Sequence, residues 1–271
     1  EGGIERADEN HDGEEADDGD RDTIDALVRA GALCNEARIR FGDGDEPETE
    51  GDSVDLAGNW VQFGGTVTIE NLDFGSGGKL SVSHGRLNVD GEIAAGERGA
   101  ELDVSNAGQV WMNGYSDEDR LDIDVEGGRF ANEGFFDGLL DLHVTDGQAL
   151  LGVDGAEMEL DEGDILAVEG SGARVGFDGA EGGVSVLRME TGSELRMTAD
   201  ANGFSSIEEF RSGAHENDDP AVLSAFDMGE GAILIDVGAI AGGAAREDVL
   251  VDTDEIVGMF DDVEFIGLGD N

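Results

Sequence analysis

The sequence predicts an all-β fold, a right-handed parallel β-helix (β-solenoid) closed at its N-terminal end by a short capping helix. From residue 54 onward, short segments that alternate apolar and polar residues are separated by Gly, Asn and Asp, which is typical of strands. Glycine makes up 45 of the 271 residues, well above its usual share. A chain that winds through repeated corners needs the positive φ angles that glycine tolerates.

Residues 1–52 are predicted to form an acidic arm and the capping helix, ahead of a solenoid at residues 53–271. Residues 1–22 are almost entirely Asp, Glu, Gly and Asn, too polar to bury a core. Residues 22–38 place apolar side chains at helical spacing behind Asp22, a candidate N-cap. We expect this helix to cover the first coil. The apolar positions are Ile24, Leu27, Val28 and Ala32.

The solenoid is predicted from the rhythm of the strand segments. The string at residues 77–91 is GGKLSVSHGRLNVDG, two strands separated by the turn residue Gly85. At about 22 residues per coil, residues 53–271 would form about ten coils, a rod of about 50 Å. Strands are predicted at 66–69, 79–82, 86–89, 102–104, 121–125, 140–144, 184–189 and 194–197.

Each coil is predicted to point aliphatic residues inward and carboxylates outward, with Phe130, Phe135 and Phe136 forming a bulky inner layer. An antiparallel sandwich also contains short strands, and hairpins favour Asn-Gly or Asp-Gly turns. Such pairs occur at 90–91, 113–114, 146–147 and 154–155. The sandwich therefore stays open as an alternative.

Charge sets the conditions under which this chain can fold. It has 66 acidic and 15 basic residues, a formal net charge of -51, and Lys79 is its only lysine. The Debye length falls from about 8 Å at physiological salt to about 3 Å at 1 M, so concentrated salt removes most of the repulsion. This composition resembles the proteins of salt-loving microorganisms. A calcium-loaded acidic protein is the alternative, although it gives no reason for the loss of lysine.

The same charge disfavours several partners. It repels phosphate backbones and anionic lipid headgroups, so we expect no nucleic acid and no electrostatic attachment to membranes. The sequence contains no run of about 20 apolar residues, so we expect no direct membrane insertion. Cys34 is the single cysteine, which rules out an internal disulfide. Cations, glycans and other copies of the chain are the partners that remain.

The segment at 77–91 resembles the rungs of autotransporter-passenger-like β-helices and of the large Gly-rich secreted proteins of planctomycetes. Residues 193–265 resemble the closing module of those proteins, and the last string of this segment matches the family's recurrent pattern of a strand, an acidic turn and a Gly-x-Phe ending, here Gly258, Met259 and Phe260. We therefore expect 193–271 to close the solenoid. The chain departs from the family by carrying Asp and Glu where Thr and Ser are usual. The resemblance implies an extracellular or cell-surface location and a role in display, adhesion or scaffolding.

A calcium site is the one metal site that the sequence suggests. The string DENHDG places Asp8, Asn10 and Asp12 at positions 1, 3 and 5 of an EF-hand-like loop, with Gly13 at the sharp turn. Asp18 falls one place before the expected closing ligand. The alternative is a solvated acidic tail.

The sequence predicts a non-catalytic structural protein, coat-forming or filament-forming, stabilised by salt or divalent cations. A glycan-binding adhesin or a virus-derived spike on the same scaffold is the first alternative. Trp111, Met112 and Tyr115 would form its glycan platform, unless they belong to the core. A polysaccharide lyase or glycosidase is the second alternative, because parallel β-helices host such activities and the acid and base they need are both Asp or Glu. The sugar-binding aromatic residues and the basic residues that such sites also need are few or scattered here. With 66 carboxylates, their spacing selects no pair.

Overall fold

The computed structural model describes residues 53–56, 58–75, 77–115, 118–153, 155–178, 184–200, 202–210, 224–238 and 249–267. Within these ranges the protein is all β, without a helix, and its strand pairs run parallel. The all-β prediction is confirmed there, and the parallel pairing excludes the antiparallel sandwich for these residues. The predicted capping helix at 22–38 lies outside the described residues.

The described chain forms 20 strands. They are β1 (Ser53–Asp55), β2 (Asn59–Ile69), β3 (Asn71–Asp73), β4 (Lys79–Val89), β5 (Ile93–Ala94), β6 (Ala100–Met112), β7 (Leu121–Asn132), β8 (Phe135–Phe136), β9 (Leu140–Val153), β10 (Glu157–Leu160), β11 (Ile165–Glu169), β12 (Ala173–Asp178), β13 (Ser185–Met189), β14 (Glu194–Thr198), β15 (Ile207–Glu209), β16 (Ser224–Asp227), β17 (Ala232–Asp236), β18 (Val251–Asp252), β19 (Glu255–Val257) and β20 (Asp262–Ile266).

These strands lie in three rows, and the chain visits the rows in a repeated order. The first row is β2, β4, β6, β7, β9, β11, β14, β17 and β20. The second row consists of the C-terminal halves of β2, β4, β6, β7 and β9, followed by β12, β15 and β18. The third row consists of two separate sheets, one of β1, β3 and β5 and one of β8, β10, β13, β16 and β19. We call one passage through the three rows a coil.

Coil length is nearly constant at first and then grows. Paired first-row residues lie 19 to 24 positions apart up to β11, as in Leu121↔Leu140 and Asp141↔Ile165. The next three offsets are 29, 38 and 30 positions. Nine first-row strands at about 4.8 Å each make a stack about 40 Å long. Strands β14 to β20 of the expected closing module continue the same three rows.

The core is built from columns of like residues, because parallel register places equivalent positions of successive coils directly over one another. Side chains from all three rows join one buried cluster. Each buried aliphatic side chain contributes roughly 1.5–3 kcal/mol of transfer free energy. One first-row column is Trp60, Leu80, Leu102, Ile123, Leu142, Leu166, Leu195 and Ile233, each 0–4% exposed.

The predicted aromatic layer is only partly correct. Phe130 and Phe136 are fully buried, with ring centroids 6.5 Å apart in an edge-on arrangement. Phe135 is 48% exposed, so its assignment to the core was wrong. Adjacent residues of a strand point to opposite sides, and Phe136 occupies the inward position.

The corner between the first and second rows explains part of the glycine content. Gly85 and Gly147 lie at this corner with φ of 101° and 103°. Asn106, the one described non-glycine residue with positive φ, occupies it in another coil. The ladder continues around the corner, so β2, β4, β6, β7 and β9 reach 11 to 14 residues. The prediction of uniformly short strands was wrong for these coils.

We predict that Gly85→Ala destabilises the fold far more than Gly65→Ala. Both residues have positive φ, which costs an alanine about 1–2 kcal/mol. A Cβ at Gly85 would also lie 2.4 Å from the Gly65 carbonyl oxygen of the preceding coil, whereas a Cβ at Gly65 meets nothing within 4 Å. Urea unfolding should show a loss of about 3 kcal/mol or more for Gly85→Ala. Equal losses for the two variants would contradict the close stacking of the corners.

Candidate functional site: charged columns on the outer surface

The outer side of the first row carries columns of carboxylates. In one column the register stacks Lys79, Glu101, Asp122 and Asp141 on successive coils. A second column, two residues along the strands, consists of Ser81, Asp103, Asp124 and His143. The predicted outward placement of carboxylates is confirmed here. Like charges directly opposite one another on neighbouring strands are destabilising.

Lys79 supplies positive charge next to the first carboxylate of each column. Its ammonium nitrogen lies 2.8 Å from Glu101 Oε2 and 2.9 Å from Asp103 Oδ2. The hydrogen bonds to these two carboxylates raise the pKa of Lys79 above its ordinary value. The hydroxyl of Ser81 donates a further hydrogen bond of 3.0 Å to Asp103. The single lysine of the sequence is thus placed between two carboxylates of one coil.

Arg120 supplies positive charge next to Asp141, the last carboxylate of the first column. One of its terminal nitrogens lies 2.5 Å from Asp141 Oδ1, and the other donates a 3.2 Å hydrogen bond to the Gly163 carbonyl. Asp122 lies in the same column and is half-buried. Burial is the main cause that raises the pKa of Asp122, and the negative charge of Asp141 is the next. The positive charge of Arg120 opposes this shift. Burial and repulsion from Asp141 therefore both disfavour the charged form of Asp122, and Arg120 offsets only part of this effect.

A shallow groove of about 570 Å³ runs along these columns. Seven of its twelve lining residues carry a hydroxyl or carboxylate group, and valines and the 63% exposed ring of Phe63 supply its apolar part. Such groups can hydrogen-bond hydrated cations or sugar hydroxyls. The polar lining includes Ser81, Ser83, Asp103, Ser105, Asp124, Glu126, His143 and Thr145.

The second row has a different outer surface. Its register stacks Arg86, Gln109, Arg129, Gln148 and Arg174 on successive coils, so arginine alternates with glutamine. Arginines on alternate coils are about 10 Å apart. This column gathers three of the chain's 14 arginines on one line.

Trp111 lies between two of these arginines. The guanidinium carbons of Arg86 and Arg129 are 4.5 Å and 4.8 Å from its ring centroid, within the range of cation–π attraction. Its neighbours Met112 and Tyr115 are 1% and 3% exposed and belong to the core. The glycan platform of Trp111, Met112 and Tyr115 is therefore not formed as predicted. The core alternative is correct for Met112 and Tyr115.

Sequence reasoning missed the arginine-glutamine column, although a signal was present. The strings GRL, GQV, GRF and GQA begin at Gly85, Gly108, Gly128 and Gly147. Each follows a first-row strand at the corner, so each places Arg or Gln first on the second row. Reading the coils in register would have revealed the alternation.

One carboxylate lies inside the fold rather than on its surface. Asp164 is fully buried at the corner that precedes β11. Its two oxygens accept hydrogen bonds of 2.9 Å from the backbone N–H groups of Leu140 and Asp161, which joins neighbouring coils. Burial raises the pKa of Asp164 to about 6, although these hydrogen bonds and Arg120 oppose the shift.

The predicted calcium ligands Asp8, Asn10, Asp12 and Asp18 lie outside the described residues. Among the residues that the structure describes, no group of three or more His, Cys, Asp or Glu side chains is arranged to hold a metal ion. The same part of the chain contains no helix of a length and hydropathy that could span a membrane.

Comparisons with known proteins add no family to this description. The chain matches no family model, no curated protein and no solved structure.

Burial of Asp164 predicts an unusual pH dependence. Between about pH 4 and pH 6 the folded carboxyl holds a proton that the unfolded one has lost, so stability should fall as the pH rises through this interval. Thermal melts in about 2 M NaCl, which screens the surface carboxylates, should show this slope.

Asp164→Asn should flatten the slope and lower stability, because an amide has one oxygen for two backbone N–H donors. The control variant Asp90→Asn, at an exposed position, should keep the slope of the unmodified protein. An identical slope in Asp164→Asn would show that Asp164 does not cause it.

Proposed function

We propose that the chain is a right-handed parallel β-solenoid that acts as a non-catalytic structural protein outside the cell, in a coat or filament. The observation that carries the proposal is the in-register stack of parallel coils around one core with carboxylate columns outside. Such a stack provides rigidity and a repeating surface at a regular spacing. The resemblance of residues 77–91 and 193–265 to secreted β-helix repeat proteins supports an extracellular or cell-surface location.

A high-salt environment belongs to the proposal. Glu101, Asp122 and Asp141 follow one another at about 4.8 Å, closer together than the Debye length of physiological salt. Lys79 and Arg120 compensate only the two ends of this set. Molar salt or bound divalent cations would supply the remaining counter-charge. The solenoid is therefore expected to be most stable where salt is concentrated.

A structural role also accounts for the arrangement of the carboxylates. An acid–base pair for sugar cleavage needs two carboxyl groups in different environments, one protonated and one ionised. The outer carboxylates instead repeat in columns, as in Asp103 and Asp124. Repetition of one environment suits a solvated, salt-binding surface. Self-association of such rods is the interaction that this proposal implies.

We predict that the melting temperature rises steeply with NaCl, by roughly 10 °C or more between about 0.1 M and 2 M, as screening relieves the columns. Differential scanning fluorimetry measures the melting temperature in series of NaCl and CaCl₂ concentrations, with a chelator added in control samples. A melting temperature that does not change with NaCl would overturn the high-salt proposal. A large response to micromolar calcium alone would assign the stabilisation to a calcium site such as Asp8, Asn10, Asp12 and Asp18.

Asp122→Asn provides a local version of this test. It removes one charge from between Glu101 and Asp141 while keeping the size of the side chain. At about 0.1 M NaCl its melting temperature should exceed that of the unmodified protein by about 2–4 °C, the effect of roughly 1 kcal/mol. At about 2 M NaCl the difference should vanish. The matched variant Glu97→Gln, at an exposed position outside the columns, should show no gain.

A further inference from the structure

The last coil leaves core positions open at the end of the stack. Ile256, Val263 and Phe265 are 52%, 49% and 53% exposed. Their column neighbours one coil earlier, Phe226, Ile233 and Ile235, are 0–5% exposed. The open positions therefore continue the buried columns by one further layer. A strand that lay on β20 would cover Val263 and Phe265.

Strand β20 also defines the charge of the strand that could cover it. Its sequence is DVEFI, in which Asp262 and Glu264 alternate with the inward positions Val263 and Phe265. Asp262 and Glu264 have no ion pair among the described residues, and the positions beneath them, Ala232 and Leu234, are uncharged. A matching strand needs cations at two alternate positions and apolar side chains at the positions between them.

One segment of the chain has this pattern. Residues 37–41 read ARIRF, and Arg38 and Arg40 are the one pair of cationic residues two positions apart in the whole sequence. Alternation of arginine with Ile39 and Phe41 is typical of a strand with one apolar face. This segment lies outside the described residues, and its use as a strand requires the predicted helix at 22–38 to end before Ala37.

We propose that residues 37–41 of a second copy add to β20 as the next parallel strand, which joins the chains head to tail. Alignment of the apolar positions, Ile39 over Val263 and Phe41 over Phe265, places Arg38 over Asp262 and Arg40 over Glu264. Strand addition satisfies the free backbone groups of the edge, and the alternating side chains give specificity. The inference rests on the proposed self-associating solenoid and names the two surfaces that meet.

The segment cannot easily reach β20 of its own chain. From Phe41 to Ser53 there are 53 − 41 = 12 residues, which span at most about 43 Å when fully extended. The layer beyond β20 lies nine coil steps from β2, roughly 43 Å along the stack, which already equals the full reach of an extended segment. The path around the stack from the third row to the first adds to that distance. A second copy meets no such limit.

Charge also argues against the tail-to-tail alternative. Two β20 strands that meet each other would bring Asp262 and Glu264 of one copy beside the same residues of the other. Strand β2 offers no cation, because its sequence NWVQFGGTVTI is uncharged. Opposite charges on neighbouring strands favour pairing, and like charges oppose it. Pairing of 37–41 with β20 is thus the complementary arrangement.

Charge reversal in both directions tests the proposal. Sedimentation velocity in about 0.5 M NaCl, where contact ion pairs are only partly screened, measures assembly of the full chain. We expect each of two double variants, studied alone, to lower the association constant for assembly at least ten-fold. They are Arg38→Glu/Arg40→Glu and Asp262→Arg/Glu264→Arg. An equimolar mixture of the two variants should assemble again, because each acidic strand then finds a basic partner on the other chain.

Matched controls separate the contact from net charge and from folding. Arg6→Glu/Arg21→Glu and Glu97→Arg/Glu118→Arg change net charge equally and should leave assembly intact. Phe265→Ala should weaken assembly, whereas Phe63→Ala, at another exposed ring, should not. Melting curves of all variants check that each one folds.

The outcomes distinguish this inference from the proposed function. Assembly that survives both reversals, or a mixture that fails to assemble, would overturn the strand pairing and leave a structural solenoid possible. A chain that stays monomeric at every salt concentration would overturn the self-associating role itself. Weakening by each reversal with recovery in the mixture would support both.

Discussion

In-register stacking of the coils is the constraint on which the rest of the structure depends. Parallel pairing at a constant register places each residue directly over its equivalent in the coil before. Whatever occupies a position is repeated about every 4.8 Å. Inside the stack this repetition favours the fold, since leucine on leucine at Leu80 and Leu102 fills a continuous core. On the outer surface the same repetition stacks carboxylates on carboxylates, which destabilises the fold.

Three of the described cations lie beside stacked carboxylates. Lys79 contacts two carboxylates, Arg120 contacts Asp141, and Arg188 lies 2.6 Å from Glu157 and 3.4 Å from Glu159. Exposed pairs of this kind contribute about 0–1 kcal/mol each, so they cannot balance the whole surface. The remaining repulsion makes the solvent part of the structure. The proposed salt dependence and the proposed surface role both rest on this one geometry.

The sequence allowed the strands and one glycine corner to be predicted, because alternation and glycine are local signals. Most of the predicted segments lie within strands, and Gly85 does turn the chain. The outer columns were missed, since they become visible only when residues 19 to 24 positions apart are aligned in register. The stacking of Trp111 between arginines and the hydrogen bond from Leu140 to the buried Asp164 depend on that register. A calcium loop at Asp8 and a helix at 22–38 stay predictions.

Distances along one outer column test the central claim most directly. Spin labels at Ser81 and Arg196, five coil steps apart in the column, should give about 24 Å in a Cys34→Ser background. Labels at Ser81 and Glu264, seven steps apart, should give about 34 Å. Pulsed electron double resonance measures both. Distances that do not grow by about 5 Å per coil would contradict the stacked, in-register architecture.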